Sequence, residues 1–105
     1  MALSRNDFRS ALEPWKGKLC SVLLVSPRFN GELQVTFEDF SLDGVLAFSG
    51  KRDEKLEVDF TDVEADSEKL EFDTAIPTRR TDRFDKAALA SIDGEFAVTM
   101  LFWKR

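Results

Sequence analysis

From about residue 18 onward, apolar and polar side chains alternate with a period of two. No other feature of the chain restricts its fold as strongly. Leu33, Val35 and Phe37 alternate with Glu32, Gln34, Thr36 and Glu38. Leu56, Val58 and Phe60 alternate with Glu57, Asp59 and Thr61, and Leu70 and Phe72 with Glu71 and Asp73. Successive side chains of a strand point to opposite faces, so each run predicts a strand with one buried and one wet face. Two other runs, Leu19–Val25 and Phe96–Trp103, are apolar on both faces. They predict central strands, or strands whose outer face is covered by a helix or another subunit.

The connectors carry turn chemistry. Asn30-Gly31, Asp43-Gly44 and Asp93-Gly94 are pairs suited to tight turns with positive φ, and each predicts a hairpin. Gly50–Glu54 reads as a charged loop and Thr61–Ser67 as an acidic one. Sequential hairpins imply an antiparallel meander, because a parallel pair needs a long crossover. The stretch Asp82–Ala90 reads two ways: a short helix capped by Asp82, or a strand over 87–92 paired with 95–102. The favoured expectation is a short helix or turn leading into a short strand.

Ahead of the strands stands one helix. Ser4 is a good N-cap, Asp7 three residues on makes a near capping box, and Leu3 and Phe8 are placed as a hydrophobic staple. Phe8, Ala11, Leu12 and Trp15 form one apolar stripe at helical spacing. Pro14 and Gly17 end the element, which is expected over about residues 4–13. A helix this short does not persist alone in water, so its stripe must pack on the sheet. The whole chain of 105 residues is therefore read as a single mainly β domain, 1–105. An antiparallel meander of six or seven short strands forms a barrel or a sandwich, with a short N-terminal amphipathic helix.

Composition excludes much of the usual chemistry. With no His, the chain has no Ser–His or Cys–His catalysis, no His-ligated zinc and no histidine pH switch. Cys20 is the only cysteine, which rules out an intrachain disulfide. Its place in an apolar run marks it as a core thiol rather than a nucleophile. No Gly-rich phosphate loop or nucleophile motif occurs, so neither an enzyme nor a cofactor is expected. No window approaches a membrane span, and no signal-like segment is found at the start, so a cytoplasmic location is expected.

Charge is unevenly spread. Residues 53–73 carry ten Asp/Glu against Lys55 and Lys69, a net −8, while the segments before and after are net +1 and +2. The acidic character thus falls on what reads as one β-hairpin, with Glu57, Asp59, Glu71 and Asp73 sharing a face. Like charges directly opposite destabilise a strand pair, so that face needs cations, a partner or full solvation. Asp62, Glu64 and Asp66 sit at alternating loop positions that could offer oxygens to Ca²⁺ or Mg²⁺, although Ser67 stands where an EF-hand loop needs glycine. Arg79, Arg80 and Arg83 form a separate basic segment able to pair with carboxylates.

The leading expectation is a non-catalytic protein–protein interaction or assembly module, a homodimer, that uses the acidic hairpin face and the arginine segment. The first alternative is a small barrel binding an apolar small molecule among Phe29, Phe37, Phe40, Phe48, Phe60, Phe72, Phe84, Phe96 and Phe102. The second is the carboxylate metal site. Nucleic-acid binding is not expected at a pI near 4.7 with no basic stripe interleaved with aromatics.

Overall fold

The computed structural model describes residues 2–64, 66–74, 83–93 and 95–104. Seven strands form one sheet: β1 Leu19–Ser26, β2 Phe29–Phe40, β3 Val45–Ser49, β4 Lys55–Asp59, β5 Glu68–Phe72, β6 Phe84–Ile92 and β7 Phe96–Trp103. Their order is β4-β3-β2-β1-β7-β6-β5, and every neighbouring pair is antiparallel. The two strands apolar on both faces, β1 and β7, are central and pair with each other, Val22 opposite Met100.

The chain does not run as one meander. β1–β4 and β5–β7 are two meanders joined by the β1–β7 pairing, and β4 and β5 stand at opposite margins of the sheet. Alternating direction across seven strands leaves these two margins running the same way. Pairing them would be parallel, and parallel neighbours need a crossover of a dozen or more residues. The connection 60–67 is too short for that, so the sheet stays open between β4 and β5.

The sheet curls around a single interior. One face contributes Cys20 and Val22, Val35, Phe37 and Phe40, Leu46 and Phe48, Leu70, Ala88 and Ala90, and Val98, Met100 and Phe102 to one buried cluster, with Phe60 from the end of β4. A register shift between Phe37 and Asp39 lets Phe40 turn inward beside Phe37, although the two are three positions apart. The aromatic rings meet edge-on or tilted: Phe37 lies 6.0 Å from Phe48 and 5.9 Å from Phe102, and Trp15 lies 4.9 Å from Phe102. Each fully buried phenylalanine contributes about 2–3 kcal/mol of apolar burial.

Helix α1, Arg5–Leu12, continues into a 3₁₀ turn, Glu13–Trp15, which begins just before Pro14. Ser4 caps α1 as expected, its hydroxyl accepting the Asp7 amide at 3.1 Å. Phe8 and Leu12 enter the same interior as the strands, and Phe8 meets Phe40 edge-on at 5.1 Å. The helix therefore covers none of the outer face of the central strands. There Leu101, Ala87 and Phe84 are buried in a small second cluster with Leu23 and Trp103 against it.

Two local expectations are corrected. The first hairpin turns at Pro27-Arg28, not at Asn30-Gly31; the register Ser26–Phe29, Val25–Asn30 and Leu24–Gly31 places both of those residues inside β2. Proline fixes φ for a tight turn and cannot donate to a ladder, which outweighs the Asn-Gly preference. Second, residues 84–92 are strand rather than the helix favoured for the start of this stretch, and Asp82, its expected cap, lies outside the described residues. The strand begins at Phe84 and pairs on both sides, with β5 and β7. Its alanines favour helix in isolation, but Ala87, Ala88 and Ala90 are fully buried in a strand flanked on both sides, where small side chains fit. Asp43-Gly44 does turn as expected, with Gly44 at φ +97°. Gly94 lies outside the described residues.

Candidate functional site

The sheet order separates the acidic residues expected on one hairpin. Glu57 and Asp59 project from β4 at one margin, Glu71 and Asp73 belong to β5 and its end at the other, and the two strands do not pair. The expectation failed because the run of carboxylates is continuous in sequence while the chain crosses from one margin to the other between them. The two halves also differ in neutralisation. Lys69 lies 3.1 Å from Glu71, and Lys86 lies 3.2 Å from Asp73. Glu57 and Asp59 have no ion-pair partner among the described residues, and both are exposed.

β4 is an edge strand whose backbone orientation follows from its two flanking bonds. Gly50 N–H donates to Glu54 C=O at 2.8 Å, and Phe60 N–H donates to Gly44 C=O at 2.8 Å. Antiparallel ladders alternate, so Leu56 and Val58 exchange bonds with β3. The N–H and C=O groups of Lys55, Glu57 and Asp59 consequently face away from β3, at the open margin. Their side chains stand on the outer face, beside a surface cleft of about 490 Å³ that includes Glu38, Asp53, Lys55 and Glu57. Thr61 N–H donates to Asp59 Oδ1 at 2.8 Å, and its bonds hold the Asp59 carboxyl below its usual range, so Asp59 stays ionised.

The β5 margin is closed differently. Leu3 N–H donates to Leu70 C=O at 2.7 Å, so the segment leading into α1 lies along that edge. Arg5, in the first turn of α1, then spans the opening. Its Nε lies 3.1 Å from each Glu68 carboxylate oxygen, and Nη2 lies 2.8 Å from Oε1. The same guanidinium donates to Asp43 C=O at 2.8 Å through Nη1 and to Phe60 C=O at 2.6 Å through Nη2. One side chain thereby ties β5 to the end of β4 and the β2–β3 turn. The sequence offers no signal for it, because Arg5 and Glu68 lie 63 positions apart.

The remaining candidates come to less. Among the described residues no group of three or more His, Cys, Asp or Glu is placed to hold a metal ion, so Asp62, Glu64 and Asp66 are not gathered into one. Arg79 and Arg80 lie outside the described residues; Arg83 is exposed, and its carbonyl accepts from Lys104 N–H at 2.9 Å. Cys20 is fully buried, and burial pushes its thiol up to about 12, which keeps the thiolate scarce. Of the phenylalanines considered as a ligand lining, Phe37, Phe40, Phe48, Phe60 and Phe102 are core residues, Phe84 belongs to the outer cluster, and Phe29 is 57% exposed. No helix among the described residues is long and apolar enough to cross a membrane. No family model, curated protein or solved structure matches the chain.

Proposed function

We propose that this chain is a non-catalytic interaction module that receives an extended segment of a protein partner along the β4 edge. One observation carries this: the peptide groups of Lys55, Glu57 and Asp59 turn away from β3, at the margin that no other described strand covers. Strand addition satisfies such groups and supplies affinity through the main chain, while side chains supply selectivity. Glu57 and Asp59, which form no ion pair among the described residues, select for a basic side chain opposite. The other acidic pair, Glu71 and Asp73, has its lysines and takes no part.

The test is an amide chemical-shift titration of the protein with an extended peptide of alternating lysine and threonine. The expected response is centred on the amides of Lys55, Glu57 and Asp59. Reversing Glu57 and Asp59 to lysine should abolish it, while reversing Glu71 and Asp73 should leave it intact. A response centred elsewhere, or one indifferent to the first pair of reversals, would sink the proposal.

A further inference from the structure

From the register of β4 we infer that the partner segment is β4 of a second copy of this chain, giving a two-fold dimer with one continuous sheet. This rests on the proposal that the β4 edge is the docking surface, and goes further by assigning the occupant.

The strand reads Lys55-Leu56-Glu57-Val58-Asp59. Set antiparallel to itself about Glu57, it places Lys55 opposite Asp59 of the second copy and Asp59 opposite its Lys55, with Glu57 on the axis. A two-fold contact brings the same patch from both subunits, so a strand must be complementary to its own reverse. Here both ends of the segment are, with opposite charges across the ladder.

The backbone agrees independently with this register. The residues that face the open margin are 55, 57 and 59, and the pairing matches 55 with 59, 57 with 57 and 59 with 55. Every outward N–H therefore meets an outward C=O. A register one residue away would oppose outward groups to groups already bonded to β3. Leu56 and Val58, half-buried and packed against the core, fall opposite one another on the inner side of the joined sheet. The β5 margin offers no equivalent, because Leu3 already bonds to Leu70 there.

Glu57 is the counterweight. The axis brings the two Glu57 side chains together, and a like-charged pair opposes association. The contact is therefore reversible and set by a few charges, rather than an open template for further strands. Once joined, the dimer leaves no other β4 edge exposed, so assembly closes at two.

The experiment is sedimentation equilibrium on the untagged full chain across a concentration series, with five variants. Wild type should show a monomer–dimer equilibrium. Glu57→Gln should tighten it. Lys55→Glu and Asp59→Lys should each weaken it about tenfold, and the double swap Lys55→Glu with Asp59→Lys should restore it, since the attractive pairs return with reversed sign. Glu57→Pro removes an outward N–H, which an edge strand tolerates, and should abolish the dimer while circular dichroism stays unchanged. A dimer that survives Glu57→Pro, or a double swap that fails to rescue, overturns the assignment. So does a wild type that stays monomeric. If that monomer still binds the lysine peptide at β4, the docking edge stands and only the second copy is wrong; if it does not, both fail.

Discussion

At the scale of single residues, the interior and the turns set the sharpest constraints. Burial raises the Cys20 thiol from 9.0 to about 12. Between those values the unfolded chain has lost a proton that the folded chain keeps. Stability is therefore full below about pH 9 and declines as pH rises toward 12, by at most about 4 kcal/mol. Cys20→Ala should lose about 1 kcal/mol near neutrality and show a shallower alkaline decline, read by urea denaturation at pH 8 and pH 11. Equal slopes in both proteins would contradict the assignment. Two glycines separate cleanly. Gly44 has φ +97°, and a Cβ there would sit 2.8 Å from Arg5 Cζ, so Gly44→Ala should cost about 1–3 kcal/mol. At Gly31 the atom met at 2.8 Å is Cζ of the exposed Phe29 ring, which can swing away. Gly31→Ala should stay within about 1 kcal/mol of wild type in the same assay.

At the scale of elements, α1 matters through what it ties together as much as through what it buries. Its Phe8 and Leu12 enter the core, but its Arg5 reaches β5, the end of β4 and the β2–β3 turn at once. Glu68, with 9% of its side chain exposed, has Arg5 as its cation. Arg5→Ala strands that carboxylate and frees two carbonyls, and should cost about 2–4 kcal/mol by thermal or urea melting. Arg5→Lys should recover only part of this, because an ammonium cannot make the two-pronged contact and reach both carbonyls. If Arg5→Lys proved indistinguishable from wild type, the guanidinium geometry would not be what holds the margins.

At the scale of the whole molecule, the sheet has a gradient from centre to edge. β1 and β7 are paired on both sides and wall the core, whereas among the described strands β4 is paired on one side only. Hydrogen exchange at low concentration should follow that order. Amides of β1 and β7 should exchange slowest, Leu56 and Val58 should be intermediate, and Lys55, Glu57 and Asp59 fastest within β4. At high concentration the Lys55, Glu57 and Asp59 amides alone within β4 should gain protection as that edge is covered. Uniform protection along β4 in the dilute protein would mean that its outer edge is not open.

The strands lay open in the sequence, because a half-buried strand needs side chains that alternate in polarity. Leu33-Val35-Phe37, Leu56-Val58 and Leu70-Phe72 announced themselves that way, and the apolar runs at β1 and β7 announced central positions. The capped helix was equally local, since Ser4 acts on an amide three residues away. What no local pattern could decide was who neighbours whom. The carboxylates of 53–73 form one run along the chain, yet β4 and β5 end at opposite margins, since pairing through β1 and β7 sets their places. The alanines of β6 prefer helix until strands on both sides bury them. Arg5 and Glu68 meet only after the sheet has curled. Local sequence determines which residues can line one face of a strand. The order of strands, the open margin and the tie across it are long-range consequences of burying one core, and only the tertiary structure decides them.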